Sequence, residues 1–85
     1  MEILNIQLIV DIVNSCDLQE ILTLDDLDRD LTTCGLVSLN FIKMIVELEK
    51  EFTIEFPDDK LIMSEMNSIN KIVEVIRQIE TVKDN

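Results

Sequence analysis

The 85-residue chain contains no His, Trp or Tyr, a single Gly, a single Pro and only two Cys. Without His, neither a Ser–His–Asp triad nor a Cys–His pair can be assembled. Two Cys without His argue against a structural zinc site, and a single Gly excludes a Gly-rich phosphate-binding loop. We therefore expect a protein that is not an enzyme and has neither catalytic residues nor a metal site.

Acidic residues far outnumber basic ones, and the formal net charge is −11. Such a charge repels nucleic acid and anionic membrane surfaces, and it favours basic partner proteins. With 47% hydrophobic residues, the chain has enough apolar side chains for a folded core. We expect one monomeric domain over residues 1–85, with no nucleic-acid or membrane partner.

The chain begins MEILNIQLIVD, with neither a basic region nor a cleavage site, and no apolar run reaches membrane-spanning length. These features predict a cytoplasmic protein. In that compartment Cys16 and Cys34 are expected to stay reduced, as small buried or half-buried residues. The sequence by itself leaves a disulfide between them open.

Three segments have the apolar spacing of amphipathic helices. Residues 2–16 place Ile and Val at three- and four-residue steps, and a second helix is predicted from Ser38 to about Phe52. A last helix follows Ser68, whose hydroxyl is a good helix cap. The residues of this helix that are predicted to face inward are Ile69, Ile72, Val73, Ile76 and Ile79.

The segments between these helices are predicted to be mostly irregular. Residues 17–37 form a long connection with room for a short helical turn, and long ordered connections are often functional. Residues 52–57 look extended but have no partner strand, and residues 58–66 are expected to form one short helix. The predicted fold is all-α: a small antiparallel bundle of three main helices plus one short helix, with a long loop between helices 1 and 2.

Three Asp residues between positions 26 and 30 have the spacing that opens a calcium-binding loop. Such a loop needs Gly at its sixth position and a bidentate Glu at its twelfth, where this chain has Leu31 and Val37. Neither residue can replace the required one. The segment is therefore predicted to be a polar loop that turns Leu27 and Leu31 into the core.

Ser38 follows the only Gly and stands at the start of the second helix. Gly35 is expected to allow a backbone turn that other residues do not tolerate. A helix start presents free N–H groups and the positive end of the helix dipole, so an anion attached to Ser38 would be stabilised there. Taken alone, Ser38 is interpreted more simply as a helix cap.

The second helix has an apolar arc about twice as wide as a one-sided surface helix needs. Such an arc is compatible with a helix that packs between two others, and also with a helix that leaves part of the arc exposed as a docking surface. Met44 lies at one edge, where it is compatible both with the core and with an exposed contact, because Met adapts to varied partners. The other edge is formed by Leu39, Ile42 and Val46.

Residues 28–61 resemble the central part of acyl and peptidyl carrier proteins. The shared elements are Asp-x-Asp-Leu, Gly-x-x-Ser-Leu, Leu-Glu-x-x-Phe and Ile-x-Phe-Pro-Asp, in that order. The flanking helices also lie where the first and last helices of that family would. The resemblance therefore covers essentially the whole chain and is specific as a combination.

The resemblance implies a non-catalytic shuttle. A phosphopantetheinyl transferase would attach 4′-phosphopantetheine from coenzyme A to Ser38, and the thiol of that arm would carry an acyl or aminoacyl group as a thioester. The implied partners are this transferase, a loading ligase or adenylation enzyme, and downstream synthase or tailoring enzymes. By analogy with the family, the partner-binding residues are Leu39, Met44, Glu47, Glu49, Glu51 and Met66. Glu49 has an alternative use, a bond to the backbone of a loop, because it falls within the apolar arc.

One residue departs from the family pattern, which usually has Asp directly before the Ser. Val37 can neither cap the helix nor present a carboxylate to the transferase. The departure argues against a housekeeping fatty-acid carrier and favours a free-standing carrier in nonribosomal peptide or polyketide biosynthesis. Fatty-acid synthesis remains an alternative, as does an unmodified carrier-like adaptor that only binds partners.

Overall fold

The computed structural model describes residues 5–83, with side chains up to residue 79. Within that range it contains three α-helices and no strands, so the all-α prediction is confirmed. None of the described helices is both long and apolar enough to cross a membrane. The three helices are α1 (Ile6–Asn14), α2 (Ser38–Phe52) and α3 (Ile69–Lys83). The predicted first turn of α1, residues 2–4, lies outside the described residues.

The core forms where α1 packs against both α2 and α3. Helix α3 contributes the side chains predicted from its spacing, of which the first four are buried, while Ile79 is half-buried against them. Burial of each such aliphatic side chain stabilises the fold by about 1.5–3 kcal/mol. The buried residues of α1 are Ile9, Val10, Ile12 and Val13.

Polar side chains fix where the first and last helices begin. The Asn5 side chain accepts a hydrogen bond from the Leu8 N–H at 3.0 Å, which caps α1. The Ser68 hydroxyl accepts one from the Lys71 N–H at 3.2 Å, which confirms the predicted cap of α3. Each cap satisfies a backbone donor that has no partner within the helix.

The connection between α1 and α2 is ordered by hydrogen bonds, although it contains only two short 3₁₀ turns, Leu24–Asp26 and Leu31–Cys34. The Asn14 side chain binds both backbone groups of Leu22, at 2.8 and 2.9 Å. The Leu31 N–H donates to the Asn67 carbonyl at 2.7 Å. The loop is therefore joined to α1 at one point and to the segment before α3 at another.

Leu31 is buried and Leu27 is partly buried against the core, as predicted for this polar loop. The Leu27 carbonyl also accepts a hydrogen bond from the Asn70 N–H at 3.0 Å. The loop thus contributes to the core while its charged side chains face solvent.

The chain between α2 and α3 differs in part from the prediction. Residues 54–57 are irregular, as expected for a segment without a partner strand. The following residues form two 3₁₀ turns, Asp58–Lys60 and Met63–Glu65, rather than one short helix. Ile62 is extended between them (φ −118°, ψ 119°). This break allows Met66 to enter the core while Ile62 stays exposed.

Gly35 adopts the backbone conformation that its position predicts, with φ +106°. A Cβ at this position would also lie 3.1 Å from the Gln19 Cγ and from the Gln19 backbone nitrogen. Left-handed backbone and a tight approach to Gln19 therefore both select Gly here. The residue ends the turn Leu31–Cys34 and redirects the chain into α2.

We expect Gly35→Ala to lower the free energy of unfolding by about 1–2 kcal/mol, because a side chain is disfavoured in left-handed backbone. Urea denaturation followed by circular dichroism measures the loss. Ser64→Ala is the control at an exposed position, where a change within about 0.5 kcal/mol is expected. Equal stability of the two variants would contradict the strain assigned to Gly35.

Candidate functional site

Ser38 is the first residue of α2, and its side chain is exposed. Among the described residues, its hydroxyl has no hydrogen-bond partner. The first backbone hydrogen bond at this end runs from the Phe41 N–H to the Val37 carbonyl, 2.9 Å. The backbone N–H groups of residues 38–40 precede that bond, so they form the positive end of the helix dipole beside the hydroxyl.

Taken alone, the sequence around Ser38 suggests that this residue caps α2. The structure contradicts that interpretation. The capping position is occupied by Val37, whose backbone is extended (φ −126°, ψ 176°) and whose side chain cannot accept a hydrogen bond. The hydroxyl of Ser38 is therefore left available for chemistry.

Asn40 supplies the polar contacts at this helix start, and the sequence reasoning missed it. Its Oδ1 accepts a hydrogen bond from the Val37 N–H at 2.6 Å, and its Nδ2 donates one to the Gly35 carbonyl at 3.0 Å. Exchanging the two amide atoms would put donor against donor and acceptor against acceptor, so the contacts fix the orientation of the amide. The spacing of Asn two residues after Ser, at the third helical position, is a clue that could have identified it.

A strip of exposed apolar side chains runs along α2 away from Ser38. Apolar side chains at a helix surface mark a docking surface when they are contiguous. The apolar strip comprises Leu39 (81% exposed), Ile42 (61%) and Val46 (41%). Leu39 was predicted as a partner-binding residue, and its exposure is compatible with that prediction.

A groove of about 470 Å³ opens beside Ser38, between α2 and the segment that follows Lys60. Its walls are almost entirely apolar and carry no charged side chain. An extended apolar group attached near Ser38 would find a complementary surface there. The residues that line this groove are Ser38, Phe41, Ile42, Ile45, Val46, Leu61 and Met63.

Met44 and Met66 were predicted as partner contacts, and the structure corrects both. Each is 0% exposed, so both side chains belong to the core. Met44 lies on the α2 edge that faces into the bundle, and the exposed edge is the opposite one, which carries the apolar strip. The helical wheel identified both edges but could not indicate which of them the other helices cover.

Of the three predicted acidic contacts, only two remain available. Glu51 is exposed and Glu47 is half-exposed. Glu49 Oε2 instead accepts a hydrogen bond from the Phe56 N–H at 2.9 Å, as in the alternative interpretation of its position. This carboxylate holds the extended segment after α2 against the helix.

The acidic charge is unevenly distributed. On α2, the acidic contacts Glu47 and Glu51 are matched in number by Lys43 and Lys50, and the Lys43 ammonium lies 3.2 Å from an Asp17 carboxylate oxygen. Residues 17–30, by contrast, carry six acidic side chains and a single Arg. The negative field of the protein therefore arises more from the loop than from α2.

The three Asp residues of the calcium-like pattern have structural partners. Asp26 accepts a hydrogen bond from the Thr23 N–H at 2.9 Å, and Asp28 accepts one from a side-chain amide of α3. Asp30 accepts bonds from the hydroxyl and the N–H of Thr32, at 2.6 and 3.0 Å, which lower the pKa of its carboxyl. These bonds account for the positions of all three.

Both cysteines are buried and free. The Cys16 thiol donates to the Ile12 carbonyl at 3.2 Å, and burial raises its pKa. A raised pKa keeps the thiol protonated and unreactive near neutral pH. The disulfide left open by the sequence is absent.

The family described as Phosphopantetheine attachment site matches residues 6–76. The chain belongs to this carrier-protein family. A D-alanyl carrier protein from Streptococcus uberis is 37% identical over 54 residues, which cover 62% of this chain and 68% of that relative. No solved structure matches the chain. The resemblance to acyl and peptidyl carrier proteins is thus confirmed.

Carrier proteins of this family hold 4′-phosphopantetheine as a covalent group. The residues present fit such a group. An exposed hydroxyl without a partner, the N–H groups at the start of α2 and the adjacent apolar groove suit a phosphodiester followed by a long, weakly polar arm.

We expect Met44→Ala to destabilise the fold by about 2–5 kcal/mol, because it leaves a cavity in the core. Ile42→Ala, on the exposed edge of the same helix, is the matched comparison and should change stability by no more than about 0.5 kcal/mol. Thermal and urea unfolding measure both effects. Similar losses of stability in the two variants would contradict the assignment of Met44 to the covered edge of α2 and of Ile42 to its exposed edge.

Proposed function

We propose that this protein is an acyl or aminoacyl carrier that does not itself catalyse a reaction. Ser38 is the residue that receives 4′-phosphopantetheine, and the loaded arm delivers an acyl or aminoacyl group to partner enzymes. The observation that carries the proposal is the exposed Ser38 hydroxyl, which has no hydrogen-bond partner among the described residues and lies within the segment matched by the family.

The side chains and backbone around Ser38 each have a separate part in this function. The hydroxyl provides the attachment oxygen, and the neighbouring N–H groups of α2 stabilise the negative charge of the phosphodiester. The apolar strip gives partner enzymes a contact surface directly beside the attached arm. When bound, the arm supplies a terminal thiol that holds the cargo as a thioester.

The proposed partners are a phosphopantetheinyl transferase, a loading ligase or adenylation enzyme, and a downstream synthase or tailoring enzyme. Leu39 is proposed as an apolar contact, with Glu47 and Glu51 as acidic ones. Because the acidic contacts are balanced by Lys43 and Lys50, the loop 17–30 supplies most of the long-range attraction. A cytoplasmic location remains a prediction.

An aminoacyl cargo is our first proposal. The D-alanyl carrier relative supports it, and aminoacyl groups are also the cargo expected in nonribosomal peptide biosynthesis. Polyketide biosynthesis remains the other specialised pathway that the sequence favours. In each case a separate activating enzyme would load the arm.

A simple acyl cargo is the second candidate, and the apolar groove favours it. The groove lining has no carboxylate to pair with the ammonium of an aminoacyl group. An aliphatic acyl chain would be buried there at a gain of about 25 cal/mol per Å² of apolar surface. This candidate corresponds to a carrier in fatty-acid synthesis.

Incubation with coenzyme A, Mg²⁺ and a broad-specificity phosphopantetheinyl transferase should add the mass of one phosphopantetheine, as measured by intact-protein mass spectrometry. Ser38→Ala should abolish the gain, because it removes the attachment oxygen. A gain that persists in this variant would show that Ser38 is not the site.

If the wild-type protein stays unmodified, the next variant to test is Val37→Asp, which introduces the carboxylate usual at that position. Modification of this variant would show that Val37 either blocks the transferase or requires a dedicated one. Absence of modification in both proteins would contradict the carrier function and leave the unmodified adaptor.

We expect the holo protein to accept an amino acid from an ATP-dependent, amino-acid-activating ligase and to be a poor acceptor for malonyl transfer. Intact mass measures loading, and release of the cargo by hydroxylamine identifies a thioester. Efficient malonyl loading, with no aminoacyl loading by any amino-acid-activating ligase tested, would instead favour the fatty-acid alternative. The unmodified apo protein is the control in each reaction.

A further inference from the structure

The Asn40 side chain joins the turn before α2 to the helix itself. Its amide bonds the Val37 N–H at 2.6 Å and the Gly35 carbonyl at 3.0 Å, and the residue is half-buried. Ser38 follows the two residues that Asn40 binds, and it is the first residue of the helix. The Asn40 side chain therefore holds the backbone next to Ser38 without binding the reactive hydroxyl itself.

We propose that Asn40 is a positioning residue for the modification of Ser38, and that it holds the start of α2 where Val37 provides no side-chain cap. The inference rests on the proposed function of Ser38. In other sequences a Ser, Thr, Asp or Asn at the capping position stabilises the first helical turn. Here the same turn is held from the third helical position, by an amide that binds two backbone groups.

The modification requires an accurately placed hydroxyl. In this reaction a bond forms between Ser38 Oγ and the phosphorus of the phosphopantetheine moiety of coenzyme A, the bond from that phosphorus to 3′,5′-ADP breaks, and the hydroxyl proton passes to a base of the transferase. An in-line displacement of this kind depends on the alignment of attacking and leaving oxygens. Fraying of the first turn of α2 would misplace the attacking oxygen.

The geometry also explains why Val is tolerated at position 37. Extended backbone suits a β-branched residue, and Val37 is exposed next to Leu39 at the end of the apolar strip. With the start of α2 held by Asn40, the side chain at position 37 is free to act as an apolar contact. A transferase that suits this chain would present an apolar surface there rather than a basic one.

The test is the steady-state kinetics of phosphopantetheine transfer from coenzyme A to the apo protein. Asn40→Ala should lower kcat about fivefold, the effect of losing one helix cap, with KM for the carrier nearly unchanged. Leu39→Ala, in the same turn but without these hydrogen bonds, should raise KM instead. Amide hydrogen exchange should show faster exchange of the Val37 N–H in Asn40→Ala.

Rescue separates positioning from general destabilisation. Adding Val37→Asp to Asn40→Ala supplies a cap at the usual position and should bring kcat to within about twofold of the single Val37→Asp variant, which presents the same carboxylate to the transferase. An unchanged kcat in Asn40→Ala, or a loss that Val37→Asp does not repair, would overturn the inference. The proposed function is tested separately, by modification of the wild type and its loss in Ser38→Ala. Failure of the positioning role of Asn40 can therefore be distinguished from failure of the carrier function.

Discussion

The Asn40 amide, bonded to the Gly35 carbonyl and the Val37 N–H, is the interaction on which the site depends. It connects the end of a long loop to the start of α2, the helix that carries the candidate serine and the apolar strip. The left-handed backbone of Gly35 turns its carbonyl toward this amide. Because one side chain satisfies a donor and an acceptor, the turn keeps its shape although the capping residue is apolar.

The loop between α1 and α2 has a structural use and an electrostatic one. Its Asp side chains cap short turns and bond to the start of α3, while Leu31 anchors it in the core. The same Asp residues give the loop most of the charge imbalance near the site. The pattern that resembles a calcium loop is thus an ordered acidic loop.

Helix α2 divides its unusually wide apolar arc between two surfaces. Phe41, Met44, Ile45 and Leu48 complete the core. The strip beginning at Leu39 remains exposed and borders the groove. A carrier that must bind several enzymes in turn needs contacts that are easily broken, and a narrow apolar strip with balanced charges meets that requirement.

Local periodicity and the chemistry of single residues predicted the three main helices, the Ser68 cap of α3, the conformation of Gly35 and the candidate serine. The Asn5 cap of α1 and the absence of a Ser38 cap on α2 emerged from the structure instead. The other helices determine which edge of α2 is covered, and the burial of Met44 and Met66 contradicts their predicted partner contacts. The tertiary structure also showed that Asn40 holds the start of α2. Burial and side-chain partners depend on segments distant in the chain, and no local pattern encodes their final placement.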